Sequence, residues 1–265
     1  MIHHRTCSIC EALCGITIEV NNEKITSIEG NPFDPLSKGY ICPKGVALQD
    51  LHFDENRLRH PVRKTSSGWE PIAWDEALDE VASKLHSIRE RDGRRAVGVY
   101  LGNPNAHNYS SILMGTLFAK ALKAKSRFSA TSADQLPHMF AGLTMFGHQL
   151  LLPIPDIDRT DHMIIMGANP LVSNGSIMTA PNMKLRLKRI QERGGKVVVI
   201  DPRKTETAKI ANSYIGIKPG TDALFLAAFL NTIFEEGLVQ AGRWQAFTDG
   251  ADSIKEAIQG FDAQT

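Results

Sequence analysis

Two rhythms of hydrophobic and polar residues run along this chain. Near the N-terminus the period is two. Ile16-Thr17-Ile18-Glu19-Val20 alternates, Asn21-Asn22 signals a turn, and Ile25-Thr26-Ser27-Ile28 alternates again, which predicts a β-hairpin. A second hairpin is predicted over 61–72, turning at Ser66-Ser67-Gly68. The period then becomes helical. Trp74, Ala77, Leu78, Val81, Ala82, Leu85 and Ile88 form one apolar stripe, with Asp75 and Glu76 in the first turn and Gly93 as the stop. A buried strand is predicted over 97–101 and a helix over 110–123. The second half repeats the alternation: strand 162–166, helix 183–192 ended by Gly194-Gly195, strand 197–200, helix 206–211, strand 214–217 and helix 222–235. Val197-Val198-Val199-Ile200 is apolar throughout, as in a parallel strand covered on both faces. The predicted fold class is α/β, a small β-rich N-terminal part followed by parallel-sheet α/β domains.

Composition narrows the function classes. The 265 residues suggest about two domains. With 30 basic residues against 29 acidic ones, a broad electrostatic grip on nucleic acid or anionic lipid is excluded. No apolar run approaches the roughly 20 residues of a membrane span. Met1-Ile2-His3-His4-Arg5-Thr6-Cys7 carries neither an apolar signal core nor a twin-arginine pair, so the expected compartment is the cytoplasm. The chain stops at Gly260-Phe261-Asp262-Ala263-Gln264-Thr265 without a helix cap or polar tail, as if cut.

Chemistry concentrates in the cysteines. All 4 lie within the first 42 residues, as Cys7-x2-Cys10-x3-Cys14-x27-Cys42, with Pro43 after the last. A disulfide framework belongs to short secreted domains. Structural zinc draws on two close pairs of ligands, whereas here three thiols cluster and one is remote. Three close thiolates can hold three corners of a [4Fe–4S] cube while a distant Cys-Pro closes the fourth, and the spacing favours this reading. Radical enzymes that split S-adenosylmethionine use the reverse spacing and leave one iron open. The hairpin, folded back, carries Cys42 toward the other three. Lys44 would then stand beside the cluster, or be an ordinary surface lysine.

The predicted strands end in polar or glycine-rich loops: Gly102-Asn103-Pro104-Asn105, Gly167-Ala168-Asn169-Pro170 and Asp201-Pro202-Arg203-Lys204-Thr205. Ligands of open α/β sheets bind beyond such ends, and three on one edge favour a nucleotide. A carboxylate there can accept from ribose hydroxyls or a guanine edge, and an arginine can hold a pyrophosphate. Lys218-Pro219-Gly220-Thr221-Asp222 opens a helix whose free N–H groups suit a phosphate. The competing readings are that Asp222 caps that helix and that Asp201-Pro202 is a turn. Neither G-x-G-x-x-G after a strand nor G-x4-G-K-[ST] occurs, which weighs against NAD, FAD and ATP.

Taken together these motifs resemble the molybdenum- or tungsten-containing bis(molybdopterin guanine dinucleotide) oxidoreductases of the dimethyl sulfoxide reductase type. The cysteine spacing with Cys42-Pro43-Lys44-Gly45 resembles the [4Fe–4S] segment of formate dehydrogenases and periplasmic-type nitrate reductases. The resemblance implies that Lys44 lies between cluster and pterin. It also implies that Gly167, Asn169, Asp201, Arg203, Thr205, Gly220 and Asp222 belong to loops holding the guanine dinucleotide arms. The implied division is a cluster domain over 1–60, the first segment of a discontinuous α/β domain over 61–135, and a Rossmann-like dinucleotide domain over 136–265. Family members are longer, so the chain is expected to be the front portion of a catalytic subunit.

The family also supplies the metal with a protein ligand. All four cysteines are committed to the cluster, and Gln135 falls in the ligand column with Asp134 and Ser132 nearby. An oxygen ligand from Asp134 or Ser132 suits an oxidised molybdenum centre, whereas glutamine is a weak donor. The alternative for these two residues is helix capping. His138 is a candidate proton carrier, or a packing residue. The expected function is two-electron exchange with a small-molecule substrate. Electrons would be relayed through pterin and cluster to a redox partner protein or a further iron–sulfur subunit. The alternatives are an iron–sulfur electron-transfer or nucleotide-binding module without molybdenum or tungsten, and a zinc-stabilised binding protein.

Overall fold

The computed structural model describes residues 1–240 and 242–262. The chain opens with β1 (Ile2–Thr6), β2 (Gly15–Asn21) and β3 (Lys24–Gly30), an antiparallel sheet of order β1-β2-β3. The alternation decides which face is covered: Ile16 and Ile28 are buried in one small core with Cys7, Ala12 and Cys14. The hairpin turns on Asn22-Glu23, one residue later than the sequence suggests. Both residues have positive φ, 48° and 62°, the conformation whose twist matches a two-residue hairpin loop. Periodicity does not predict β1, because His3-His4-Arg5 has no apolar pattern; pairing with β2 makes it a strand.

Two short helices follow, α1 (Pro43–Val46) and α2 (Leu48–Phe53), with Pro43 in the first turn, where its missing N–H costs nothing. The hairpin β4 (Val62–Thr65) and β5 (Gly68–Pro71) is as predicted. It is fastened to α3 (Trp74–Asp92) by Arg63, which bonds both Glu76 and Glu80. Gly93, at φ 82°, ends α3. Leu85 and Ile88 of α3 pack on buried Val97, Val99, Leu122 and Ala124. Next come β6 (Gly98–Leu101), α4 (Pro104–His107), α5 (Tyr109–Ala121), β7 (Ser126–Ser129) and α6 (Leu136–Phe146), with β6 and β7 paired in parallel.

The remaining elements are β8 (His162–Met166), α7 (Pro170–Ser173), α8 (Met183–Glu192), β9 (Lys196–Asp201), α9 (Glu206–Ile210), β10 (Ser213–Gly216), α10 (Asp222–Glu235) and α11 (Ala251–Ile258). β10, β9 and β8 form a parallel sheet in that order. Central β9 is the predicted apolar strand, with Val197, Val199 and Ile200 almost fully buried.

The chain divides into two compact units. One comprises Met1–Ile157 with Pro170–Leu187, the other Asp158–Asn169 with Lys188–Thr265. The mixed α/β fold with parallel sheets is therefore as expected. The strand ends, however, do not all share one edge. Gly102–Asn105 follows β6 in the two-stranded sheet, whereas Gly167 and Asp201 follow strands of the three-stranded one. The alternation of strand and helix is the same in both sheets, so it does not reveal where one sheet stops.

Candidate functional site

The cysteine site is built from two loops. Cys7 follows β1 and its N–H donates to the carbonyl of Cys14 at 2.9 Å, closing the Cys7–Cys14 loop. Cys42 stands at the N-terminus of α1, where its carbonyl accepts from the N–H of Gly45. Gly45 is buried here: a Cβ would lie 2.7 Å from the Ile41 side chain and 3.8 Å from the Cys7 sulfur. All four thiols are free, Cys7 and Cys14 being buried.

Burial pushes the Cys14 thiol from its ordinary 9.0 up to about 11, and negative charge on Cys7, Cys10 and Cys42 contributes to the rise. Cys7 is raised by burial first, against a hydrogen bond from Ile9, with Cys10 and Cys42 adding repulsion. Cys7 and Cys14 thus each lie within electrostatic reach of the other three cysteines. Four thiolates so placed repel, and bound iron would reverse that penalty. Among the described residues, no three His, Cys, Asp or Glu are grouped to hold a single metal ion. A cubane instead presents a separate iron to each thiolate, so its ligands need not meet at one point. The donor set fits such a cluster.

Two supports escape a reading of the sequence. Tyr40 packs on the cysteine core, and its phenol is pushed up by burial and by Cys42, Cys14 and Cys10. Its only signal in sequence is that it precedes Cys42 by two residues. Asp34 accepts from the Ser37 N–H and hydroxyl at 2.6 and 2.7 Å, and the Ser37 oxygen accepts from the Gly15 N–H at 3.1 Å. This relay braces the residue after Cys14. Those Ser37 bonds, the backbone one first, hold the Asp34 carboxyl below its usual range. Lys44 is an exposed residue of α1.

In the same unit a cavity of about 320 Å³ lies at the carboxyl ends of β6 and β7. Asp134 and Gln135 line it; Ser132 and His138 are exposed and stand outside the lining. The capping alternative fails for Ser132 and Asp134. Gln135 occupies the N-cap of α6 without a side-chain cap bond. The Gln135 amide instead donates to Glu11 of the cysteine loop at 2.9 Å.

The second unit gathers three of the loops at one sheet edge, those after β8, β9 and β10. Gly167 has φ 59°, and a Cβ there would meet nothing within 4 Å, so glycine serves the backbone conformation rather than a close approach. Asn169 donates to Glu206 at 2.7 Å and accepts from the N–H and hydroxyl of Thr207 at 3.2 and 2.7 Å. Thr205 caps α9 through Ala208 at 3.1 Å. The Asp201 carboxyl accepts from the Arg203 N–H at 2.8 Å, which is the turn reading of that pair. The Arg203 guanidinium stays largely exposed, 3.8 Å from Glu206. Gly220 has φ 83°, and Asp222 sits in the first turn of α10 behind Thr221, the N-cap, with no side-chain cap bond. Asn169, Asp201 and Thr205 thus shape the edge, while Arg203 and Asp222 remain presented on it.

A cysteine segment of cluster-type spacing thus leads into mixed α/β structure with parallel sheets and polar strand ends. Residues 57–257 match the molybdopterin oxidoreductase family and residues 2–51 match the molybdopterin oxidoreductase Fe4S4 domain; the chain belongs to this family. It is 30% identical to formate dehydrogenase H of Escherichia coli over 96% of this chain and 36% of that protein. It is 26% identical to the F420-dependent formate dehydrogenase subunit alpha of Methanocaldococcus jannaschii, over 96% of this chain and 36% of that one. Among solved structures, acetylene hydratase from Pelobacter acetylenicus superposes with a TM-score of 0.73 at 26% identity, covering 98% of this chain and 35% of that chain. The chain therefore spans about a third of the length of these relatives. Membership implies a [4Fe–4S] cluster and a molybdenum or tungsten molybdopterin cofactor.

Proposed function

We propose that the chain serves a molybdenum- or tungsten-dependent oxidoreductase that exchanges two electrons with a small-molecule substrate. The observation that carries this reading is the gathering of the chain's four cysteines about one small core, with Cys7 and Cys14 buried, Cys10 packed against them and Cys42 heading α1, whose Gly45 abuts the Cys7 sulfur. When bound, the metal–pterin group supplies two-electron chemistry and the cluster one-electron transfer.

The chain's own residues bind and orient. Cys7, Cys10, Cys14 and Cys42 hold the cluster, and Lys44 places a cation beside it. Gly167, Asn169, Asp201, Thr205 and Gly220 shape the edge that receives guanine dinucleotide, where Arg203 and Asp222 meet pyrophosphate and guanine. Asp134 lines the cavity and is favoured over Ser132 as an oxygen donor to the metal. His138 carries a proton in the first turn of α6.

A redox protein or further iron–sulfur subunit receives the electrons, in keeping with the relative named as a subunit alpha. Free thiols suit a cytoplasmic setting, and no helix among the described residues is long and apolar enough to cross a membrane. The division into 1–60, 61–135 and 136–265 belongs to the same proposal. Anaerobic purification with elemental analysis and pterin fluorescence after acid oxidation tests it. Iron with molybdenum or tungsten and pterin is expected; iron alone would leave an electron-transfer module, and zinc would overturn both.

A further inference from the structure

Glu11 directly follows Cys10, yet its side chain is held from outside the cysteine loop. Its Oε1 accepts from the amide of Gln135, 124 residues further on, at 2.9 Å. The Nε2 of His107 stands 4.0 Å from the same oxygen. The Glu11 side chain is 22% exposed and that of His107 only 6%. The backbone beside Glu11 is fixed as well. Ala12 is 1% exposed, and the N–H of Leu13 donates to the Cys10 carbonyl at 3.2 Å. One carboxylate of the cysteine loop is therefore anchored, largely shielded from water, by a residue at the N-cap of α6.

We infer, on the reading of the four cysteines as [4Fe–4S] ligands, that Glu11 is a fixed negative charge that lowers the cluster's reduction potential. Gln135 is the positioning residue that holds it. Cluster potentials follow the net charge and the solvent exposure around the iron. Chain connectivity alone keeps the Glu11 carboxylate within a distance on the order of 10 Å of the Cys10 sulfur. At that range a charge shielded from water opposes the arrival of an electron, whereas the same charge in bulk solvent is screened. The Gln135 bond keeps the carboxylate out of bulk solvent. Lys44 acts in the opposite sense, because a cation favours the reduced cluster. Charge on the neighbouring metal–pterin group is common to wild type and variants, so a difference between them belongs to Glu11.

The test is an anaerobic redox titration of the full chain as isolated, at one fixed pH, followed by electron paramagnetic resonance. Iron and molybdenum or tungsten are measured in each preparation, and midpoints are compared at equal metal content. Glu11→Gln keeps the shape and removes the charge; Gln135→Leu keeps the charge and removes the tie. Glu11→Gln is expected to raise the ratio of reduced to oxidised cluster at a given potential about tenfold, a midpoint shift of about 59 mV for one electron. Gln135→Leu is expected to shift it in the same direction by less, as the freed carboxylate passes into water. A midpoint unmoved or lowered in Glu11→Gln would overturn the inference. Should that variant lose its iron, an unmoved midpoint in Gln135→Leu would overturn it, as would loss of iron from both, which would make the pair structural. A wild type without reducible iron would instead count against the cluster reading.

Discussion

The hydroxyl of Thr207 donates to Oδ1 of Asn169 at 2.7 Å, tying the loop after β8 to the first turn of α9. Thr207 is fully buried, and its backbone N–H shares the same acceptor. Asn169→Ala leaves both donors without that partner, at a cost of about 1–3 kcal/mol. Urea unfolding is expected to show a lower midpoint with unchanged slope.

Thr205→Val removes the cap of α9 at a residue that is 2% exposed, while Thr205→Ser preserves it. A loss of about 0.5–2 kcal/mol is expected for valine and little for serine, measured by the same unfolding curves. Wild-type stability in Thr205→Val would remove the cap from the account, whereas a loss in Thr205→Ser would report the methyl group that serine lacks.

Much of this edge is legible in sequence, because strand ends in a parallel sheet announce themselves as apolar runs broken by Gly, Asp-Pro or Pro-Gly. What the side chains do there is not. Asn169 and Thr205 read as ligand-binding residues, yet both hydrogen-bond to α9, and such pairings depend on three-dimensional proximity. The helical stripe of α3 is legible over its whole length. By contrast, β7 has no signal of its own: Ser126-Arg127-Phe128-Ser129 lacks apolar alternation and becomes a strand only by pairing with β6. The Glu11–Gln135 contact spans 124 residues, beyond any local pattern.

Gly30→Ala tests the scaffold of the cysteine segment. A Cβ there would sit 2.0 Å from the carbonyl oxygen of Gly39, a backbone atom that cannot swing aside. A destabilisation of about 1–3 kcal/mol is expected, together with lower iron content in the purified protein.

Asp34 sets a pH dependence. Its hydrogen bonds hold the folded carboxyl below the ordinary 3.8, so the folded state favours the charged form. The stability this contributes is present above the ordinary carboxylate range. It is lost as pH falls through that range toward the lowered folded value. Asp34→Asn should flatten the acid limb of a stability–pH curve below about pH 4. A limb unchanged by the substitution would remove Asp34 from the account.

The most direct measurement is iron stoichiometry with electron paramagnetic resonance of the dithionite-reduced, anaerobically prepared chain, wild type beside Cys42→Ala. The account predicts about four iron atoms per chain and a reduced-cluster signal in wild type, both lost or strongly diminished in the variant. A colourless wild type without reducible iron, or a full cluster signal in Cys42→Ala, would contradict it.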